Sequence, residues 1–214
     1  MALHAVLLTA LVTGASASLL TPWVRKVAGT DSPWIGSRTH VLLAGLGGAG
    51  VCALANGRAE LVAFALLALA CALLVVIDLA VYRLPDVIVG PMYPIFMVAL
   101  TVQAAVDGDW HRLGRAAAAG AVLALGYLIL ALIVPSGLGL GDVKLAGLLG
   151  VFLGWAGWPN VFVGTLAAFS LNGIVAVALL LSRHATRKSA TAFGPWMVAG
   201  AAVGALWGTA TVSL

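Results

Sequence analysis

Apolar runs recur along this chain from end to end, and almost nothing charged interrupts them. Residues 61–77, Leu-Val-Ala-Phe-Ala-Leu-Leu-Ala-Leu-Ala-Cys-Ala-Leu-Leu-Val-Val-Ile, contain no charged side chain. A helix needs about 20 apolar residues to cross a bilayer, so this run is nearly long enough by itself. Of 214 residues, 63% are hydrophobic and 8% charged, with a mean hydropathy of +1.13. A soluble domain carries roughly a quarter charged residues. The chain therefore reads as an all-α, polytopic integral membrane protein, with no room for a sizeable soluble domain. Eight spans are expected, at roughly residues 2–21, 40–56, 60–82, 87–106, 115–135, 143–158, 160–182 and 195–213. The second is short and rich in glycine (Gly45, Gly47, Gly48, Gly50), and so is the sixth (Gly147, Gly150, Gly154, Gly157). Such small residues let helices approach closely around a buried site; a re-entrant hairpin in place of one of the two is the alternative.

The basic residues between these runs set an orientation. Arg25, Lys26, Arg38, Arg83, Lys144, Arg183, Arg187 and Lys188 fall in or beside the odd-numbered loops; the even-numbered loops hold only Arg58, Arg112 and Arg115. The positive-inside rule then puts the odd loops in the cytoplasm and both termini outside. The net charge of +4 is used up by this bias and argues against a nucleic-acid partner. The N-terminus lacks the basic flank of a cleavable signal, so residues 2–21 are expected to stay as the first helix. Cys52 and Cys71 read as small buried hydrophobes. His4, His40, His111 and His184 are scattered, and neither a metal nor a cofactor is expected. The chain divides into residues 1–39, a first helix with a short cytoplasmic loop, and residues 40–214, the main membrane domain.

Two aspartates sit where such a chain should least tolerate them. Asp78 closes the run 61–77, and Asp142 closes Gly139-Leu-Gly-Asp142 between two apolar segments. A carboxylate in a membrane segment costs several kcal/mol or more and is by default a functional-site candidate. The loop assignment brings both to the cytoplasmic edge. Two carboxyls sharing one proton can hydrolyse a peptide: the ionised one takes a proton from water while the protonated one polarises the scissile carbonyl. Gly137, Gly139 and Gly141 precede Asp142 and are expected to give that loop backbone angles closed to other residues. The plainer alternative is a glycine-rich turn whose aspartate caps the next helix.

At these residues the chain resembles the type IV prepilin peptidases, membrane aspartic proteases of the GxGD class. The first motif of that family reads here Asp78-Leu-Ala-Val-Tyr-Arg-Leu84-Pro85-Asp86, the second Gly139-Leu-Gly-Asp142-Val-Lys144, and the third Ala192-Phe193-Gly194-Pro195, with Ala192 where the family has proline. The resemblance covers roughly residues 40–213. It implies an aspartic endopeptidase that removes the basic leader of type IV prepilins or pseudopilins at the face of the bacterial cytoplasmic (inner) membrane. It implies Asp78 and Asp142 as the catalytic pair, with Asp86, Gly139, Gly141, Lys144, Phe193, Gly194 and Pro195 binding substrate or shaping the site. Asp86 is expected to cap the helix after Pro85, and Lys144 to reach the headgroups. Larger family members carry a cytoplasmic domain with paired CxxC motifs after the first helix, associated with N-methylation of the trimmed pilin. Here residues 22–39 are short and without cysteine, so cleavage carries over and methyl transfer does not.

A proton- or cation-coupled transporter using Asp78 and Asp142 as ion sites is the alternative from another class. It predicts inverted-repeat symmetry, and the two halves show no self-similarity. Presenilin-like proteases share GxGD but expect Tyr-Asp and Pro-Ala-Leu, where this chain has Ile77-Asp78 and Phe193-Gly194-Pro195.

Overall fold

A computed structural model of the protein describes residues 3–36, 38–134, 138–182 and 192–212. They form ten helices in the order α1 Leu3–Leu19, α2 Thr21–Ala28, α3 Pro33–Gly36, α4 Thr39–Leu54, α5 Arg58–Val81, α6 Asp86–Asp107, α7 Trp110–Ile133, α8 Leu140–Ala156, α9 Trp158–Leu181 and α10 Gly194–Val212. No strand occurs among the described residues. Each of the eight apolar segments lies on a helix.

By length, only part of the expected span count is met. Among the described residues α5, α6, α7 and α9 are long and apolar enough to cross a bilayer, and α1 with α2 makes a fifth only if this pair, bent by 50°, counts as one. The reason is geometric: α4 has 16 residues and α8 has 17, about 24–26 Å at a 1.5 Å rise, against an apolar thickness of about 30 Å. The interval 22–39, read as a loop, is mostly helix. α2 turns away from α1 at Leu20, buries Val24 and ends on Gly29 in the left-handed region, while α3 buries Ile35. Both pack on α5.

The chain forms two compact units, Met1–Leu113 and Gly114–Leu214. In the first, α5 is the central element: 67% of its apolar window is buried, against 11% for α9 in the second unit. A helix that is apolar all round has to be enclosed by others, and α1, α4 and α6 enclose α5 together with α2 and α3. The α1–α4 contact depends on small residues. A Cβ on Gly48 would lie 2.7 Å from the Thr9 carbonyl oxygen, and one on Gly45 3.5 Å from that of Ala10. Thr13 donates across the contact to the Ala44 carbonyl at 2.8 Å. Such bonds are worth only about 0.6 kcal/mol on average inside a bilayer, so close packing supplies most of the association. Cys52 and Cys71 are buried free thiols.

At the start of α5 lies a polar cluster. Glu60, fully buried, accepts a hydrogen bond from Arg112 at 2.7 Å and another from the Asn56 amide at 2.7 Å. Beside it Gln103 donates to Asp107 at 2.9 Å, and Gly57 leaves room for the Gln103 amide. This end of α5 is about 27 Å from Asp78 at a helical rise of 1.5 Å per residue.

In the second unit α7, α8, α9 and α10 pack through glycines. A Cβ on Gly150 would lie 2.8 Å from the Ala119 oxygen and 2.9 Å from Gly120 Cα; one on Gly154 would lie 3.1 Å from Ala116 Cα. Arg115 seals the far end of α8, donating from Nε to the Gly154 carbonyl at 2.8 Å and from Nη2 to that of Trp155 at 2.9 Å. These are the carbonyls a helix C-terminus leaves without intrahelical partners. Gly157, at φ 154°, turns the chain sharply from α8 into α9, a conformation reserved for glycine. Gly164 on α9 meets Gly200 and Gly204 on α10, and Asn160 donates to the Gly204 carbonyl at 2.9 Å.

Candidate active site

The first unit carries the first motif. Asp78 lies in the last turn of α5, at the end of a stretch buried without interruption from Ala70, and is itself only 4% exposed. The helix stops because Tyr82 adopts left-handed angles (φ 52°), its N–H reaching back to the Asp78 carbonyl at 2.8 Å, and because Pro85 then forbids a helical approach. The carbonyl end of a helix opposes a carboxylate, so the position is costly on two counts. Asp86 stands across this turn on α6. Pro85, not Asp86, occupies the cap position, and no side-chain cap bond forms there. The expectation of Asp86 as the cap is thus replaced by a carboxylate in the first turn of the helix, where the dipole favours it.

The second unit carries the other two motifs. α8 begins earlier than expected, at Leu140, so that Asp142 belongs to its first turn and Gly139 caps it. Asp142 is half-buried and its Oδ2 accepts the Gly139 N–H at 2.9 Å. Burial pushes its carboxyl above the usual carboxylate range, and the Gly139 hydrogen bond partly opposes that. Neither Gly139, at φ −83°, nor Gly141 uses the left-handed region, contrary to expectation. What Gly139 supplies is space: a Cβ there would stand 3.4 Å from Asp142 Oδ2. Gly137 lies outside the described residues. Lys144, two residues on, is exposed. Phe193 is buried and its carbonyl accepts the first two amides of α10 after Pro195, from Trp196 at 3.0 Å and Met197 at 3.1 Å. Gly194 and Pro195 open α10.

A residue that the sequence pattern did not single out packs on the third motif. Tyr127, on α7 and 4% exposed, packs its ring on Phe169 (5.5 Å between centroids) and on Phe193 (6.1 Å), which also touch one another at 5.4 Å. The one available signal was a hydroxyl inside an otherwise apolar segment. Glu60, the only glutamate of the chain, was missed likewise. Among the described residues no cluster of three or more His, Cys, Asp or Glu side chains could hold a metal.

Comparison with known proteins covers the stretch that holds the first two motifs and ends before the third. The model of the type IV leader peptidase family matches residues 65–180, more than half of the chain. A prepilin leader peptidase/N-methyltransferase of Pseudomonas putida is 36% identical over 72 residues, which cover 34% of this chain and 24% of that protein. The match thus spans about a quarter of that curated relative. No solved structure matches the chain.

Proposed function

The chain belongs to the type IV leader peptidase family, and from that premise we propose that it is a multi-pass aspartic endopeptidase. Its substrates are type IV prepilins or pilin-like precursors, trimmed at the cytoplasmic face of the bacterial inner membrane. The observation that carries this reading is Asp78: a buried carboxylate closing an apolar, enclosed helix at the position of the family's first motif. Asp142, at the head of α8 in the second motif, is its proposed partner.

The chemistry follows from two carboxyls that cannot both ionise at close range. One keeps a proton and polarises the scissile carbonyl while the other removes a proton from the attacking water. The pair titrates as a unit. Gly139 and Gly141 leave space beside Asp142 for an extended substrate backbone, and Phe193-Gly194-Pro195 walls the site. Asp86 supplies a carboxylate for the basic charges of the leader, and Lys144 reaches the headgroups. In this reading all eight apolar helices lie in the membrane, both termini face outward, and residues 40–214 form the protease domain. The first helix and the α2–α3 segment cover α5. That segment is too small for an independent core and lacks cysteine, so cleavage proceeds without methylation.

Co-expression with a candidate prepilin tests the proposal. Asp78→Asn and Asp142→Asn should each abolish processing, read by N-terminal sequencing, with insertion intact. Substantial cleavage by either variant would sink it. Mass spectrometry of the product made with S-adenosylmethionine should show a new N-terminus without an added methyl group.

A further inference from the structure

The helix hairpin of α7 and α8 has a readable register. Gly154 stands against Ala116 and Ala119, Gly150 against Ala119 and Gly120, and Gly120 against Gly147 and Val151. Each step up α8 answers a step down α7, as antiparallel helices require. Carried on by two turns, this register brings Tyr127 level with Asp142. Tyr127 and Ala146, one turn along α8 from Asp142, line a common cavity. The ring is fixed from its other sides by Phe169 and Phe193, so the hydroxyl has little freedom to turn elsewhere. A buried phenol seeks a hydrogen-bond partner, and one in an apolar segment has few choices.

We propose that Tyr127 is a positioning residue of the active site, its phenol donating a hydrogen bond through one water to the Asp142 carboxylate. The proposal rests on the reading of Asp142 as a working carboxyl. It gives the aromatic cluster a purpose beyond packing: the third motif, through Phe193, holds the tyrosine that holds the aspartate. A donor of this kind favours the ionised carboxyl and so works against the burial that favours the protonated one. Charged or titratable groups near the pair are few. α9 and α10 have no charged residue, α8 contributes exposed Lys144, and His111, Arg112 and Arg115 of α7 lie at its opposite end.

The test needs no substrate. In an Asp78→Asn background, so that Asp142 titrates alone, the purified protein in detergent is treated with dicyclohexylcarbodiimide across a pH series. The reagent adds to protonated carboxyls, and labelling of the peptide containing Asp142 is followed by mass spectrometry, with Asp142→Asn as the blank. Tyr127→Phe keeps the ring and loses the donor, so the labelling midpoint should rise by about one to two pH units, the worth of a hydrogen bond to a charged group. 3-Fluorotyrosine at position 127, a near-isosteric and stronger donor, should lower it, which covers the case of a poorly folded Tyr127→Phe. Midpoints that coincide with that of Tyr127 would overturn the proposal, because a purely packing role leaves them unmoved. If prepilins are cleaved, the pH–kcat profile of the aspartate pair should move to higher pH in Tyr127→Phe. If none is cleaved, the peptidase reading fails while the labelling still decides the role of Tyr127.

Discussion

The Glu60–Arg112 pair allows an energetic argument at the end of α5 far from the proposed chemistry. The Glu60 side chain is 0% exposed and that of Arg112 is 21% exposed, so the two partners are not equivalent. Arg112→Met takes the guanidinium away from a carboxylate that has no route to water, and breaking a buried pair in this way costs about 3–5 kcal/mol. Glu60→Gln strands a guanidinium that still reaches solvent, and the amide oxygen can keep the Asn56 N–H bond of 2.7 Å. Its cost is that of one hydrogen bond to a charged group, about 1.5–3 kcal/mol. In the double variant Glu60→Gln/Arg112→Met nothing charged is left of the pair, so it should lie closer to wild type than Arg112→Met alone. Reversible unfolding by SDS titration in mixed micelles measures all three. An Arg112→Met no worse than Glu60→Gln, or a double variant as costly as the two singles together, would refute the account of a desolvated pair.

Further outcomes follow from the packing and the charges. Asp142 holds its proton to higher pH in the folded chain than in the unfolded one, so the native state binds more protons between those two values and stability falls as pH rises through them. Asp142→Asn should remove that slope and leave the protein at least as stable as wild type at neutral pH, read as Tm; a marked loss would contradict the burial argument. Gly150→Ala pushes a methyl against the backbone of Ala119 and Gly120 and should cost about 1–3 kcal/mol, whereas Gly50→Ala, with nothing within 4 Å of its Cβ, should be neutral or slightly stabilising. Equal effects would show that the α7–α8 approach is not tight. With Cys52 and Cys71 replaced, cysteines at Tyr82 and His111 should label from opposite sides of the membrane; labelling from one side overturns the proposed orientation. EDTA should leave cleavage unchanged, checked in the same prepilin assay.

Helix positions were legible because an apolar run is a local property that one reading of the chain detects. Length was less so: the same kind of run ends as a 24-residue α5 or a 16-residue α4, depending on where caps and turns fall. α2 was overlooked because eight residues around Arg25 and Lys26 are too few to show a helical period, and its folding depends on burying Val24 and packing against α5. The proposed aspartates were visible as charges in the wrong solvent. Tyr127 was not, since its neighbours Phe169 and Phe193 arrive from distant parts of the chain, and tertiary proximity leaves no trace in local pattern. The Gly139 loop shows the converse error: a glycine suggests unusual backbone angles, but here its missing side chain matters, making room for a carboxylate oxygen.

The glycine contacts between α7 and α8 also work as a vernier. Their faces are smooth, so sliding one helix along the other by a single turn would displace Asp142 by about 5.4 Å, more than the reach of any hydrogen bond. Only discrete seats are allowed, because each glycine takes the backbone of the facing helix or, at Gly120, the Val151 side chain. Arg115, clasping the last carbonyls of α8, acts as the stop that selects one seat. Alignment at the head of α8 is therefore decided at its tail, and substitutions around Arg115 and Gly154 should behave as mistuned spacers, leaving a folded protein whose aspartate is delivered to the wrong height.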